Sequence, residues 1–153
     1  MKQYLSAIVL ALPLIASAHV SLLNDQAEHG STFKFILKIP HGCNGQATDK
    51  IVVRLPQSIQ AAKPMPKAGW SLNTTQVTLA KPYEMYGKQV TQEVDRITWS
   101  GGSLPNAYYD EFVFQARVAA ELGALPFLVE QTCGKTTINW SEAAVKNEHP
   151  APV

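Results

Sequence analysis

The sequence is short of most features that mark the commoner function classes. It has 13 Lys and Arg against 12 Asp and Glu, so it holds no surplus of positive charge to neutralise phosphates, and nucleic acid is not an expected partner. With 46% hydrophobic residues and almost no net charge, it also lacks the polar, one-signed composition of a disordered chain. No G-x-S-x-G, Walker loop, H-E-x-x-H or free Cys beside a His is present, and each would have been needed for a familiar kind of catalysis. The only adjacent carboxylates are Asp110 and Glu111. Neighbouring strand residues point to opposite faces, so this pair would not share a substrate as acid and base. An enzyme is not expected. No internal repeat or low-complexity linker divides the 153 residues, a length that suits one domain with a proper core.

Long hydrophobic runs are also missing, except at the start. Met1-Lys2-Gln3 carries one positive charge, Tyr4 to Ile15 is an apolar run, and Ala16-Ser17-Ala18 has small residues at both ends. The run is too short for a bilayer core of about 30 Å. Charged start, short apolar middle and small-residue exit read as a secretory signal over residues 1–18, cleaved after Ala18. Leu14-x-Ala16 offers a poorer exit two residues earlier. No Cys follows the cleavage point, so lipid attachment there is not expected. The mature chain is then expected to begin at His19, to be electrically neutral because Lys2 is removed, to lack a membrane span, and to be periplasmic or secreted.

Cysteine is scarce too. Cys43 and Cys133 are the only two, and an even pair in a secreted chain is expected to form one disulfide. A two-thiolate metal site is the weaker reading, since the pair lacks C-x-x-C spacing.

What is plentiful after His19 is alternation with period two. Thr32 to Ile39 puts Phe33, Phe35, Leu37 and Ile39 on one face, and Glu111 to Val118 puts Phe112, Phe114, Ala116 and Val118 on another. Further strands are expected over Lys50–Leu55, stopped by Pro56, and over Trp70–Leu79, Asp95–Ser100, Leu125–Cys133 and Thr136–Glu142. Pro40-His41-Gly42, Pro64-Met65-Pro66, Ser100-Gly101-Gly102 and Cys133-Gly134 punctuate them. About seven short strands without an amphipathic helix predict an all-β domain, an immunoglobulin-like antiparallel β-sandwich with a Cys43–Cys133 bond. It should occupy residues 19–146, with a flexible Pro-rich tail over 147–153.

The chemistry of this chain centres on His19. A terminal histidine presents two nitrogens, the α-amine and imidazole Nδ1, which close a six-membered ring on one metal. Two nitrogens in a plane suit the tetragonal preference of Cu(II). His29, His41 and His149 read as loop residues, and Met65 and Met85 are too few for a thioether Cu(I) site. Glu111, on the face opposite Phe112, reads by itself as an exposed strand-edge charge. Trp70, Trp99 and Trp140 read as packing aromatics.

These pieces fall into an order that resembles one family. The shared features are His19 as first mature residue, His41-Gly42-Cys43, Pro64-x-Pro66 followed by Gly69-Trp70, and Trp99-x-Gly101-Gly102 leading to Leu104-Pro105. Asp110-Glu111-Phe112, Gln131-x-Cys133 and Trp140-x-Glu142 follow. Together they resemble the YcnI-like family of secreted bacterial copper-binding proteins. The resemblance implies a β-sandwich binding Cu(II) through a monohistidine brace. The amine and imidazole of His19 and the carboxylate of Glu111 would be its ligands, and Trp140 would wall the site. It also implies a place in copper homeostasis or delivery, with copper-trafficking proteins as partners. Family members often carry a terminal membrane anchor; this sequence stops at Val153, from which a free protein is expected.

Two other classes compete. Polysaccharide monooxygenases also place a terminal His on a β-sandwich, but they need a second histidine, and none of His29, His41 or His149 sits in a matching motif. A structural module with an incidental terminal His would keep its copper affinity on His19→Ala. A CopC-like carrier would share the terminal His and differ by coordinating through another.

Overall fold

The computed structural model describes residues 19–23, 26–119 and 123–148, with side chains described as far as Ser141. The expected signal peptide, the side chain of Glu142 and residues 149–153, including His149, lie outside the described residues. Ten strands follow in order: β1 (Ser21–Leu22), β2 (Gln26–Glu28), β3 (Thr32–Ile39), β4 (Thr48–Arg54), β5 (Ile59–Pro64), β6 (Ser71–Met85), β7 (Lys88–Leu104), β8 (Asp110–Val118), β9 (Gly123–Cys133) and β10 (Thr136–Glu148). They form a four-stranded sheet ordered β1-β3-β8-β5 and a six-stranded sheet ordered β2-β10-β9-β4-β7-β6. The all-β sandwich expected from the alternation is the observed architecture. Its pairings are antiparallel, except that β10 runs parallel to β2.

Period-two alternation creates the core directly. Phe35 and Leu37 of β3, with Phe112, Phe114, Ala116 and Val118 of β8, are buried on the inner face of the smaller sheet. Phe35 stacks on Phe114 at 4.8 Å, and Phe127 of β9 closes on both from the opposite sheet at 5.3 and 5.9 Å. Each such side chain, fully removed from water, contributes about 1.5–3 kcal/mol. Trp99 is fully buried and donates its indole N–H to the Met65 carbonyl at 3.1 Å, so its one polar atom is satisfied. Cys43 and Cys133 are bonded, at a sequence separation of 90, and tie the loop after β3 to the end of β9.

The structure departs from the sequence reading where burial is one-sided or absent. β1, β2 and β5 were not expected; the first two are too short to show a period, and β5 ends in Lys63-Pro64. Strands expected over Trp70–Leu79 and Asp95–Ser100 are parts of a much longer hairpin, β6–β7. Its outer half is exposed, so no apolar stripe marks it. Gly101 and Gly102 do not end a strand but lie inside β7, where its register against β4 shifts. A Cβ on Gly102 would meet the Trp70 ring at 2.1 Å, so the second glycine makes room for that ring. β10 passes beyond the expected Glu142. Asn147 and Glu148, the first residues of the expected flexible tail, pair with Ala27 and Glu28 of β2. Both residues belong to the sheet.

Candidate metal centre

Val20 explains why His19 is held in place at all. Val20 is 2% exposed and joins the core, and Leu22 packs against it, so the chain is anchored one residue after the histidine. β1 then lies beside β10 across the sandwich. On β10, Trp140 pairs with Val129 of β9 and so turns to the inner face at the open end of the sandwich. The exposed His19 ring meets the Trp140 indole edge-on, with centroids 5.5 Å apart and planes at 79°, a favoured aromatic arrangement.

The indole is itself held from behind. Gln131 of β9, 1% exposed, accepts the Trp140 Nε1–H on Oε1 at 3.1 Å. Its amide nitrogen donates to the His41 carbonyl at 2.7 Å and the Thr48 hydroxyl at 2.8 Å. Both ends of the amide are therefore engaged, which settles its orientation. Thr48 Oγ1 lies 3.5 Å from Cys133 Sγ, so the disulfide adjoins the same network. His41 serves through its backbone, while its ring Nδ1 donates to the Gly42 carbonyl. A Cβ on Gly42 would lie 1.8 Å from the Gln46 carbonyl oxygen, which only glycine avoids. His41-Gly42-Cys43 is thus a tight turn that presents a carbonyl to Gln131.

Glu111 sits on the other sheet. It pairs with Lys38 of β3, which pairs with Ser21 of β1, two residues after His19. Directly opposed residues share a face, so Ser21, Lys38 and Glu111 form one row, its ends about 10 Å apart. Glu111 is half-buried, and both its backbone groups are held by side chains. Its N–H donates to Asp110 Oδ1 at 2.8 Å, and its carbonyl accepts from Lys67 Nζ at 3.0 Å. Lys67 also pairs with Asp110 at 2.7 Å and lies over the Phe112 ring at 5.0 Å. β5 has ended by this point, and Lys67 occupies the side of β8 that a continuing strand would have taken. Trp70, from the same turn, covers Phe112 at 4.9 Å. Lys38 extends over the Tyr109 ring at 5.6 Å.

The structure therefore brings His19 against Trp140 and sets Glu111 at the far end of the adjoining row. Among the described residues no three His, Cys, Asp or Glu side chains converge. A brace needs only two residues, because a terminal His supplies two nitrogens, and nitrogen with carboxylate oxygen is a donor set that fits Cu(II). Gln131, Lys67 and Lys38 were not singled out from sequence as site residues. The alternation that turns Val129 and Cys133 inward also turns Gln131 inward, and a polar residue in such a position was the available signal.

Residues 19–153 match the family described as "Domain of unknown function (DUF1775)". The chain belongs to this family. DUF1775 is the YcnI-like family, so the motif reading and the match agree on membership. The DUF1775 chain is also similar to a solved structure, an uncharacterized protein from Nocardia farcinica whose crystal structure reveals an immunoglobulin-like fold. The TM-score is 0.63 at 19% identity, over 88% of this chain and 100% of that one. The sandwich is thus immunoglobulin-like, as expected. None of the curated proteins compared with it matches.

Proposed function

We propose that this protein is a secreted or periplasmic carrier of Cu(II), acting in copper homeostasis or delivery. It takes one copper ion as cargo through the amine and imidazole of His19 and the carboxylate of Glu111. The observation that carries this reading is the His19 ring set edge-on against an indole that Gln131 holds. In the uncut chain the His19 nitrogen is a peptide nitrogen; cleavage after Ala18 would make it an amine and complete the chelate. The match to DUF1775 begins at the same residue, which supports His19 as the mature start. Glu111 would offset part of the metal charge, and Trp140 would shield one side from water. A bound Cu(II) would supply Lewis acidity and a one-electron couple. With a single imidazole in the brace, carriage rather than oxygen chemistry is the favoured role.

The test is a Cu(II) titration of secreted protein shown by mass spectrometry to start at His19, beside the same protein with one additional N-terminal Gly. Tight one-to-one binding is expected in the first and a large loss in the second. In the first protein, Glu111→Gln should change the Cu(II) electron paramagnetic resonance spectrum. Equal affinity with and without the extra Gly would overturn the brace, and an unchanged spectrum would remove Glu111 from the ligands. Hydrogen peroxide formation with a reductant would turn the assignment towards an enzyme.

A further inference from the structure

The residues of β3 and β8 that alternate with the buried aromatics form the outer face of the smaller sheet, and cross-strand register sorts them into rows. Thr32, Arg117 and Gln60 make the first row; Lys34, Gln115 and Lys63 make the second. Ile36 and Val113 make the third, extended by Met65, whose N–H bonds the Val113 carbonyl at 2.8 Å. Lys38 and Glu111 make the fourth, with Lys67 at its end. Five cations thus share one face whose rows hold a single acid, Glu111, in a mature chain whose charges sum to zero.

Rows two and three carry the argument. Lys34 and Lys63 are exposed and stand about 10 Å apart across the sheet. Among the described residues the ion pairs are Arg54–Glu130 and Lys67–Asp110, so neither of these two lysines has a carboxylate partner. Between them lies a hollow of about 330 Å³ whose apolar walls include Pro64, Val113 and the 54% exposed Met65. Along the strands, the cationic row and the apolar row are separated by two residues, about 7 Å. An extended peptide repeats its side chains on one face at the same interval.

We propose that this face docks an extended acidic segment of a partner protein, with a carboxylate at one position and an apolar side chain two residues on. The carboxylate would bridge Lys34 and Lys63, and the apolar group would enter the hollow against Val113 and Met65. Strand addition at this edge is disfavoured. β5, the end strand, carries Pro64, is followed by Pro66, and has a register shift at Ala61, devices that block pairing. The segment therefore lies across the face. A lipid surface fits less well, because Ile36 and Val113 are half-buried between protruding lysines rather than raised above them. The inference is independent of copper.

The experiment uses mature, metal-free protein and a fluorescent probe peptide in which Glu and Leu alternate, separated by Ser. Anisotropy should report binding that weakens on raising ionic strength from about 0.05 to about 0.5 M. Binding should fall about tenfold in Lys34→Glu/Lys63→Glu and remain unchanged in Lys135→Glu, on the distant β9–β10 turn. Circular dichroism would confirm that both variants are folded. Equal binding by wild type and Lys34→Glu/Lys63→Glu would overturn the proposal. So would absent peptide binding, including the case in which phosphatidylglycerol vesicles bind instead. Neither result bears on the copper titration, which uses a different site and probe.

Discussion

Gln131 is the side chain least expected in the interior, and it connects the largest number of distant parts. A buried amide left without partners costs about 1–3 kcal/mol, whereas here its bonds run to His41, Thr48 and Trp140. Gln131→Met keeps the volume but strands the Trp140 N–H, the His41 carbonyl and the Thr48 hydroxyl. We expect a loss of about 2–3 kcal/mol in urea unfolding, with a displaced, faster-exchanging indole N–H resonance for Trp140. An unmoved resonance would mean that the bond does not hold the ring in solution. The position was legible in the sequence, since 131 alternates with 129 and 133 on an inward face. Its partners were not, because they come from a loop and from two other strands.

At the scale of elements, the β6–β7 hairpin shows how polar contacts extend a strand where burial cannot. Tyr83 of β6 donates its hydroxyl to Glu93 of β7, and both carboxylate oxygens of Glu93 accept from the Ala61 N–H at 3.0 Å. Hairpin and β5 are thereby latched. Burial first, and the bond to Glu93 second, push the Tyr83 phenol well above its usual range. The folded state thus favours the neutral phenol. Stability from this source is fully present below the ordinary phenol pKa of about 10 and declines as pH rises beyond it. Thermal melts between about pH 9 and about pH 11 should fall more steeply for the wild type than for Tyr83→Phe; parallel slopes would exclude Tyr83 as the cause. The sequence under-read this hairpin because its exposed outer half lacks apolar alternation, the only strand signal available without pairing partners.

For the whole molecule, the disulfide is the longest-range covalent constraint, closing a loop with a sequence separation of 90. The loop-entropy argument assigns such a closure about 4–5 kcal/mol, less any native strain. Cys43→Ala/Cys133→Ala should accordingly lose about 4 kcal/mol in denaturant unfolding. A loss below about 1 kcal/mol would show that the two sheets hold these ends together unaided. Because Thr48 and Gln131 adjoin Cys133, the same variant should also broaden the Trp140 indole resonance.

The amino-acid sequence by itself determined the sandwich and its covalent bond. Alternation is a local property that any strand displays along its own length, and two cysteines allow only one intramolecular pairing. Tertiary structure alone decided how Trp140 meets the histidine from the opposite end of the chain, edge-on and with its N–H held by Gln131. It also decided that Glu111 shares a row with Lys38 and Ser21, and that Lys67 takes the place of an absent strand. These relations depend on the register between strands, which pairing and packing set together and which no stretch of sequence contains on its own.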